Sequence, residues 1–132
     1  MVAGMPHRVL VVEDFAPFRR FIRSALERIP NLQVVCEVCD GLQAVQKAEE
    51  LKPDLILLDI GLPTLNGLEV ARRIRTVAPG SKIIFVSQES SVDVVEEALR
   101  LGWGYVLKSR AASELLPAVK SVLSGQRFVR GA

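Results

Sequence analysis

The sequence predicts an α/β fold of five β-α units, with a parallel sheet covered by helices on both faces. Five short, β-branched apolar runs alternate with five longer segments in which apolar residues recur every three or four positions. The runs LILL at 55–58 and IIFV at 83–86 contain no alternating polar residue, which is typical of strands buried on both faces of a parallel sheet. Right-handed crossovers then place helices on both sides of such a sheet.

The predicted strands are short and are bounded by turn-forming residues. They are RVLVV at 8–12, QVVCEV at 33–38, DLILL at 54–58, KIIFV at 82–86 and GYVL at 104–107.

The segments between the strands predict helices. An apolar stripe runs from Phe18 to Ile29 in the first segment and from Leu115 to Leu123 in the last. The segments 41–51, 67–78 and 91–101 show the same period more weakly. Prolines at 30, 53 and 79 follow helical segments and help to end them. Pro117 lies inside the last segment, where it suits a helix only near the first turn.

Size and composition indicate one globular domain over residues 1–132, with its core at about 8–128. The formal net charge of +2 is too small to indicate binding to nucleic acid or to an anionic membrane. No apolar run approaches the roughly 20 residues that span a bilayer. The N-terminal MVAGMPHR lacks the apolar core of a signal peptide, so we expect a cytoplasmic location.

Cys36 and Cys39 form a lone CxxC within a predicted strand. A redox pair or half a zinc site is disfavoured, because strand residues three apart point to opposite faces and the only histidine is His7. We interpret both cysteines as small apolar strand residues.

Chemistry-bearing side chains follow four of the five predicted strands. Glu13 and Asp14 follow the first, Asp59 the third, Ser87 the fourth and Lys108 the fifth. In open parallel sheets, ligands bind beyond the carboxyl ends of the strands. The sequence therefore predicts a site where three carboxylates, a hydroxyl and an amine meet.

Crowded carboxylates need a compensating positive charge. Two like charges about 4 Å apart cost ~4 kcal/mol at an effective dielectric constant near 20. Lys108 supplies one positive charge, and Mg²⁺, which prefers hard oxygen ligands, would supply two more. Mg²⁺, a lysine and a hydroxyl together can stabilise a transferring phosphoryl group. Asp59 is thus a candidate nucleophile that would form an acyl phosphate, although an aspartate there also suits a cap before a helix.

These residues resemble the receiver domains of two-component response regulators. The matching motifs are VVEDFAPFRR, LLDIGLPTLNG with Pro63 and Gly67 four and eight residues after Asp59, FVSQE, and GYVLKS. The resemblance covers residues 8 to about 128, and ELLPAVKSVLSGQRFV is similar to the branch that carries a C-terminal LuxR-type helix-turn-helix. It implies a flavodoxin-like, doubly wound fold with the strand order 2-1-3-4-5.

The resemblance implies a phosphoacceptor and a metal site. Asp59 would accept a phosphoryl group from the phosphohistidine of a sensor histidine kinase. Asp14 would bind Mg²⁺ directly, Glu13 would assist, often through water, and the backbone carbonyl of Gly61 would complete the protein ligands. Ser87 and Lys108 would contact phosphoryl oxygens.

The resemblance also implies a conformational switch and a set of partners. Ser87 would shift toward the phosphoryl group and Tyr105 would move inward, so that the fourth helix, fifth strand and fifth helix present a changed face. From the residues alone, Tyr105 is a half-buried aromatic with its hydroxyl in water. The switched face would control a transcriptional output and serve as a homodimer surface. DNA would be bound only through an effector domain, and we expect no effector domain in this chain, no enzyme activity and no membrane contact.

Three features depart from the family pattern. Gln88 follows Ser87, where a small residue is usual, which leaves the effect of its long side chain on phosphorylation open. Gly61 and Glu89, on the two flanking loops, would shape how fast water removes the phosphoryl group. Ser109 follows Lys108 in place of a frequent proline, which leaves the isomer of the Lys108–Ser109 peptide open.

Three alternative functions are compatible with parts of the sequence. A stand-alone receiver would signal through protein contacts alone. A Mg²⁺-dependent phosphohydrolase would favour a second aspartate two residues after Asp59, where this chain has Gly61. A flavodoxin-like cofactor binder would need a hydroxyl- and glycine-rich loop after the first strand, where the acidic EDFAPF lies instead.

Overall fold

A computed structural model of the chain describes residues 4–129 and contains one five-stranded parallel sheet. The strands are β1 (His7–Val12), β2 (Leu32–Val38), β3 (Leu55–Leu58), β4 (Lys82–Ser87) and β5 (Gly104–Leu107). They are ordered β2-β1-β3-β4-β5, and every neighbouring pair is parallel. The predicted fold class and strand order are confirmed.

Five helices connect or follow the strands. They are α1 (Ala16–Leu26), α2 (Gly41–Leu51), α3 (Gly67–Val77), α4 (Val92–Leu101) and α5 (Ala111–Leu123). A 3₁₀ turn, Lys108–Arg110, leads from β5 into α5. The predicted helix boundaries for α2, α3 and α4 agree with these to within one residue. Ile29 is buried but lies beyond the end of α1.

The structure locates Pro117 within the last helix. It is in the interior of α5, the seventh residue from the start at Ala111. Because proline has no N–H, the helical hydrogen bond to the Ser113 carbonyl cannot form there. Pro117 is therefore not near the first turn, because α5 begins four residues before the apolar stripe at Leu115.

Two hydrophobic layers sandwich the sheet. Leu55 and Leu57 of β3 pack in the layer that includes α1 and α5, whereas Ile56 and Leu58 pack in the layer that includes α2, α3 and α4. All four side chains are buried. Burial on both faces explains why this strand shows no polar alternation.

The two cysteines occupy different environments, and both are free thiols. Cys36 lies within β2 and packs against the α2–α4 layer. Cys39 is exposed and lies just beyond the end of β2, so its predicted place inside the strand was wrong.

The fold positions the site through the common direction of its strands. The carboxyl ends of β1, β3, β4 and β5 lie at one edge of the sheet, as parallel pairing requires. Among residues 4–129, no helix has both the length and the apolar character needed to cross a bilayer.

Candidate functional site

Lys108 forms the centre of the site at the carboxyl edge of the sheet. Its Nζ atom donates hydrogen bonds to Asp59 Oδ2 and to Glu13 Oε2, each at 3.0 Å. The lysine side chain is 18% exposed, whereas those of Glu13 and Asp59 are 1% and 7% exposed. The ends of β1, β3 and β5 therefore place two buried carboxylates on one ammonium group. The same ammonium lies 4.8 Å from the centre of the Phe18 ring on α1, within the range of a cation–π contact.

Three carboxylates meet beside this lysine. One oxygen each of Glu13, Asp14 and Asp59 lies within 4.8 Å of the others. Glu13 and Asp59 are buried, and Asp14 is exposed at the mouth of the pocket. A hard divalent cation such as Mg²⁺ takes all its ligands from oxygen and needs few of them from the protein, so this donor set is compatible with Mg²⁺.

Glu13 carries the clearest sign that the pocket suits a further cation. Its Oε2 atom accepts from the Phe15 backbone N–H at 3.0 Å as well as from Lys108. Its Oε1 atom lies 3.0 Å from Lys108 Nζ, but among the described residues it has no partner in hydrogen-bonding geometry. A buried acceptor without a hydrogen bond is costly, and a metal ion or a metal-bound water at this position would satisfy it.

Burial and hydrogen bonding have opposite effects on the pKa values of Glu13 and Lys108. Burial raises the pKa of Glu13, and hydrogen bonds from Lys108 and from the Phe15 amide only partly offset that rise. Burial alone would lower the pKa of Lys108, but hydrogen bonds to Glu13 and Asp59 outweigh it and raise that pKa. Lys108 is therefore charged at neutral pH, and the excess negative charge lies with the carboxylates.

Hydrogen bonds and the close approach of Gly67 fix the backbone around Asp59. Its amide donates to the Val12 carbonyl at 3.1 Å, and its Oδ1 atom accepts from the Ile60 amide at 2.7 Å. A Cβ atom at Gly67 would lie 2.1 Å from the Asp59 carbonyl oxygen, so only glycine fits at the start of α3. Gly61 is exposed in the loop between β3 and α3, and the role of its carbonyl as a metal ligand stays a prediction.

Ser87 and Tyr105 both contact the loop after β4. Ser87 is buried, and its Oγ atom accepts from the Glu89 amide at 3.2 Å. The Tyr105 hydroxyl donates to the Glu89 carbonyl at 2.6 Å, and its ring stacks on Phe85 with centroids 6.2 Å apart. Tyr105 is only 7% exposed, and burial raises its pKa. The hydroxyl is bonded to protein, so its expected place in water was wrong, and the ring already points inward.

The structure describes two of the three departures from the family pattern, at Gln88 and at Ser109. Gln88 is exposed, next to buried Ser87. The Lys108–Ser109 peptide is trans, like every other peptide bond in the described part of the chain.

Sequence reasoning missed a supporting side-chain contact and a backbone outlier. Arg19 donates to the Glu13 carbonyl at 2.9 Å and pairs with Glu37 at 3.5 Å, which fixes the loop that carries the acidic pair. Thr64 has a φ of 66°, a left-handed conformation that is a rare outlier for a β-branched residue. No periodicity or motif indicates either feature, because the Arg19–Glu37 pair joins α1 to β2 and the Thr64 backbone is held by the first turn of α2.

The fold and this pocket define a class of protein: a doubly wound α/β domain with an acidic, lysine-bridged site at the carboxyl edge of its sheet. The family model described as the response regulator receiver domain matches residues 9–120. The chain belongs to this family.

Individual relatives agree with this assignment. The chain is 35% identical over 123 residues to the response regulator GacA of Pseudomonas viridiflava, which covers 92% of the chain and 58% of the relative. It is 44% identical over 97 residues to a protein-glutamate methylesterase/protein-glutamine glutaminase of Thermotoga maritima, covering 72% of the chain and 28% of that protein. The chain thus spans little more than half of the first relative and less of the second.

A solved structure is also similar. The crystal structure of a LuxR-family two-component response regulator from Aurantimonas sp. superposes with a TM-score of 0.87 at 30% sequence identity. The match covers 93% of this chain and 89% of that one. The predicted resemblance to the LuxR-type branch of response regulators is confirmed.

Proposed function

We propose that the chain accepts a phosphoryl group on Asp59 from the phosphohistidine of a sensor histidine kinase, with Mg²⁺ bound at the acidic pocket. The main support for this proposal is the position of Lys108. Its Nζ atom lies 3.0 Å from a carboxylate oxygen of each of the buried residues Asp59 and Glu13. Asp14, Glu13, Asp59 and the Gly61 carbonyl would hold the metal. When bound, Mg²⁺ would neutralise charge on the phosphoryl oxygens and on the carboxylates.

Asp59 is the nucleophile in this reaction. One carboxylate oxygen forms a bond to phosphorus while the phosphorus–nitrogen bond of the phosphohistidine breaks, and the electron pair leaves with the imidazole nitrogen. Lys108 is held next to Asp59 before the reaction, so its charge is available to a phosphoryl oxygen without reorganisation. Ser87 would donate its hydroxyl hydrogen to a second phosphoryl oxygen, since its oxygen now accepts from Glu89.

The response would pass through the loop after β4. Ser87 and Tyr105 both hydrogen-bond Glu89, one through its amide and one through its carbonyl. A shift of Ser87 toward the phosphoryl group would therefore move the group that holds the Tyr105 ring. We infer that this coupling changes the face formed by α4, β5 and α5.

That face already carries an apolar groove. The groove has a volume of about 460 Å³ and is lined by Tyr105, Leu107 and the α4 residues Val92, Val95 and Leu99. Val92 is 69% exposed, which is unusual for a large apolar side chain. We propose this face as the surface for a homodimer and for control of a transcriptional output domain, because the similar LuxR-family and GacA proteins are response regulators. DNA would be contacted only by that output domain.

The proposal includes a cytoplasmic location and no enzymatic turnover of small substrates. Receiver domains of transcriptional response regulators are generally not enzymes. Gly61 occupies the position where a phosphohydrolase of related fold would favour a second acid.

A labelling experiment tests the proposal. The chain is incubated with acetyl phosphate or phosphoramidate, with and without Mg²⁺, and its intact mass is measured. We expect one phosphoryl group on the wild-type chain in the presence of Mg²⁺ and none on Asp59→Asn. Full labelling of Asp59→Asn, or labelling that is independent of Mg²⁺, would contradict the assignment.

A further inference from the structure

The loop 60–66, which follows Asp59, contains a backbone outlier at Thr64. Its φ of 66° lies in the left-handed region, where a branched Cβ crowds the backbone. Such a conformation persists only where surrounding contacts fix it, and outliers of this kind cluster at functional sites. The contacts that fix Thr64 come from α2, a helix that contributes none of the predicted site residues.

The Thr64 hydroxyl joins the loop to the first turn of α2. Its Oγ1 atom accepts from the Leu42 backbone amide at 3.1 Å and donates to Asp40 Oδ1 at 3.3 Å. Asp40 is the N-cap of α2, and the same Oδ1 atom accepts from the Gln43 amide at 2.9 Å. Thr64 thus satisfies a helix N–H that has no partner within the helix.

A backbone contact next to Thr64 strengthens the junction between the loop 60–66 and the first turn of α2. The Gly41 amide donates to the Pro63 carbonyl at 3.0 Å. A Cβ atom at Gly41 would lie 2.0 Å from the Leu65 carbonyl oxygen, so the loop packs directly on the glycine backbone. This close approach requires glycine at the first position of α2.

The junction is connected to the predicted metal site by a short path. The Ile60 carbonyl accepts from the Gly67 amide at 2.8 Å, and the Ile60 amide donates to Asp59 Oδ1. Gly61 therefore lies between two fixed carbonyls, that of Ile60 on one side and that of Pro63 on the other. A Cβ atom at Gly61 would meet nothing within 4 Å, so no side-chain packing at this position holds the peptide in place.

We propose that Thr64 is a positioning residue: together with the first turn of α2, it holds the loop 60–66 in the conformation in which the Gly61 carbonyl serves as a metal ligand. This inference rests on the proposed function, since it assigns a role in Mg²⁺ binding at that site. It extends the site to α2 and makes Mg²⁺ affinity depend on a hydroxyl that does not touch the metal.

The test compares Thr64→Val with Thr64→Ser. Valine keeps the shape and the β-branched strain of threonine but removes the hydroxyl, whereas serine keeps the hydroxyl. Thr76→Val, at an exposed position of α3, is the matched control for the same chemical change. Mg²⁺ dissociation constants are measured by isothermal titration calorimetry without phosphodonor, and exchange of the Leu42 and Gly41 amides by NMR.

We expect Thr64→Val to weaken Mg²⁺ binding about tenfold, because replacing groups that orient metal ligands costs roughly 10- to 100-fold in affinity. The Leu42 amide should exchange faster in the same variant. Thr64→Ser and Thr76→Val should bind Mg²⁺ as the wild type does. If Thr64→Val does not fold, Thr64→Gly, which relieves the backbone strain and also lacks the hydroxyl, should show the same weakening.

The outcomes separate the two proposals. Faster exchange at Leu42 with unchanged Mg²⁺ affinity would reduce Thr64 to a structural role and overturn this inference alone. Equal weakening in Thr64→Ser would also overturn it, because the hydroxyl would then be irrelevant. A wild-type chain that does not bind Mg²⁺ would overturn the proposed function and this inference with it.

Discussion

Replacing Lys108 with methionine should destabilise the metal-free protein strongly. The substitution keeps an unbranched side chain of similar length and removes the ammonium that lies 3.0 Å from both Asp59 and Glu13. Removing one partner of a buried ion pair costs roughly 3–5 kcal/mol, because it leaves uncompensated buried charge.

The geometry of the pocket gives a similar magnitude. The carboxylate oxygens lie within 4.8 Å of one another, and unit charges at that distance repel by about 3.5 kcal/mol at an effective dielectric constant of 20. Because the Lys108 side chain is 18% exposed, solvent screening favours the lower end of the range. We therefore expect Lys108→Met to lower the free energy of unfolding by about 3 kcal/mol at pH 7.

Urea denaturation followed by circular dichroism measures this loss directly. Lys47→Met is the matched control, since Lys47 also pairs with a glutamate at 3.0 Å but is 41% exposed. Solvent screens an exposed pair, so this variant should lose much less stability than Lys108→Met. If the two substitutions cost the same, the buried charges at the pocket are not compensated by Lys108, and the electrostatic reasoning fails.

The pH dependence provides a second check on the same variant. Burial raises the folded-state pKa of Glu13, so the unfolded chain releases this proton first and the contribution of Glu13 to stability falls as the pH rises above about 4.5. Without Lys108, this pKa rises further and the fall extends to higher pH. The stability difference between Lys108→Met and the wild type should therefore shrink as the pH is lowered from 7 toward 5, and a difference that grows would contradict this assignment of charge.

Three further predictions follow from the site and its surroundings. At a concentration of 100 times its dissociation constant, Mg²⁺ should raise the free energy of unfolding of the wild type by about 2.7 kcal/mol. Thermal melts should show that Asp14→Asn loses most of this gain. An equal gain in the two proteins would exclude Asp14 as a ligand. Gly67→Ala should cost at least about 2 kcal/mol in urea denaturation, because its Cβ atom would overlap the Asp59 carbonyl. Gly80→Ala, with open space, should cost under about 0.5 kcal/mol, and equal costs would refute the packing argument. Tyr105 is the only tyrosine in the sequence, so the phenolate absorbance band reports its ionisation alone. Because burial raises its pKa, we expect this ionisation above pH 10. An ordinary pKa would show that the ring is not buried in solution.

The fold was predictable because its signals are local. The strand from Leu55 to Leu58 is buried on both faces, and four successive apolar residues in the sequence indicate that burial. The placement of Glu13, Asp59 and Lys108 was predictable for a different reason: parallel strands share a direction, so residues that follow them meet at one edge.

The parts that could not be predicted depend on distant contacts. The left-handed Thr64 is fixed by the first turn of α2, more than 20 residues earlier in the chain. The inward Tyr105 is held by a carbonyl 16 residues away. Pro117 lies in the interior of α5 because the helix is supported by burial of its neighbours Ala118 and Val119, which outweighs the lost hydrogen bond.

The intact mass of wild-type, Asp59→Asn and Lys108→Met chains after incubation with a small phosphodonor and Mg²⁺ shows whether Asp59 and Lys108 act together in phosphorylation. We expect a single phosphoryl adduct on the wild type, none on Asp59→Asn, and a slower or absent adduct on Lys108→Met. Chelation of Mg²⁺ should abolish the wild-type adduct. An adduct that forms equally in all three proteins would place the phosphoryl group outside the pocket shared by Asp59 and Lys108, and the role proposed for that pocket would be wrong.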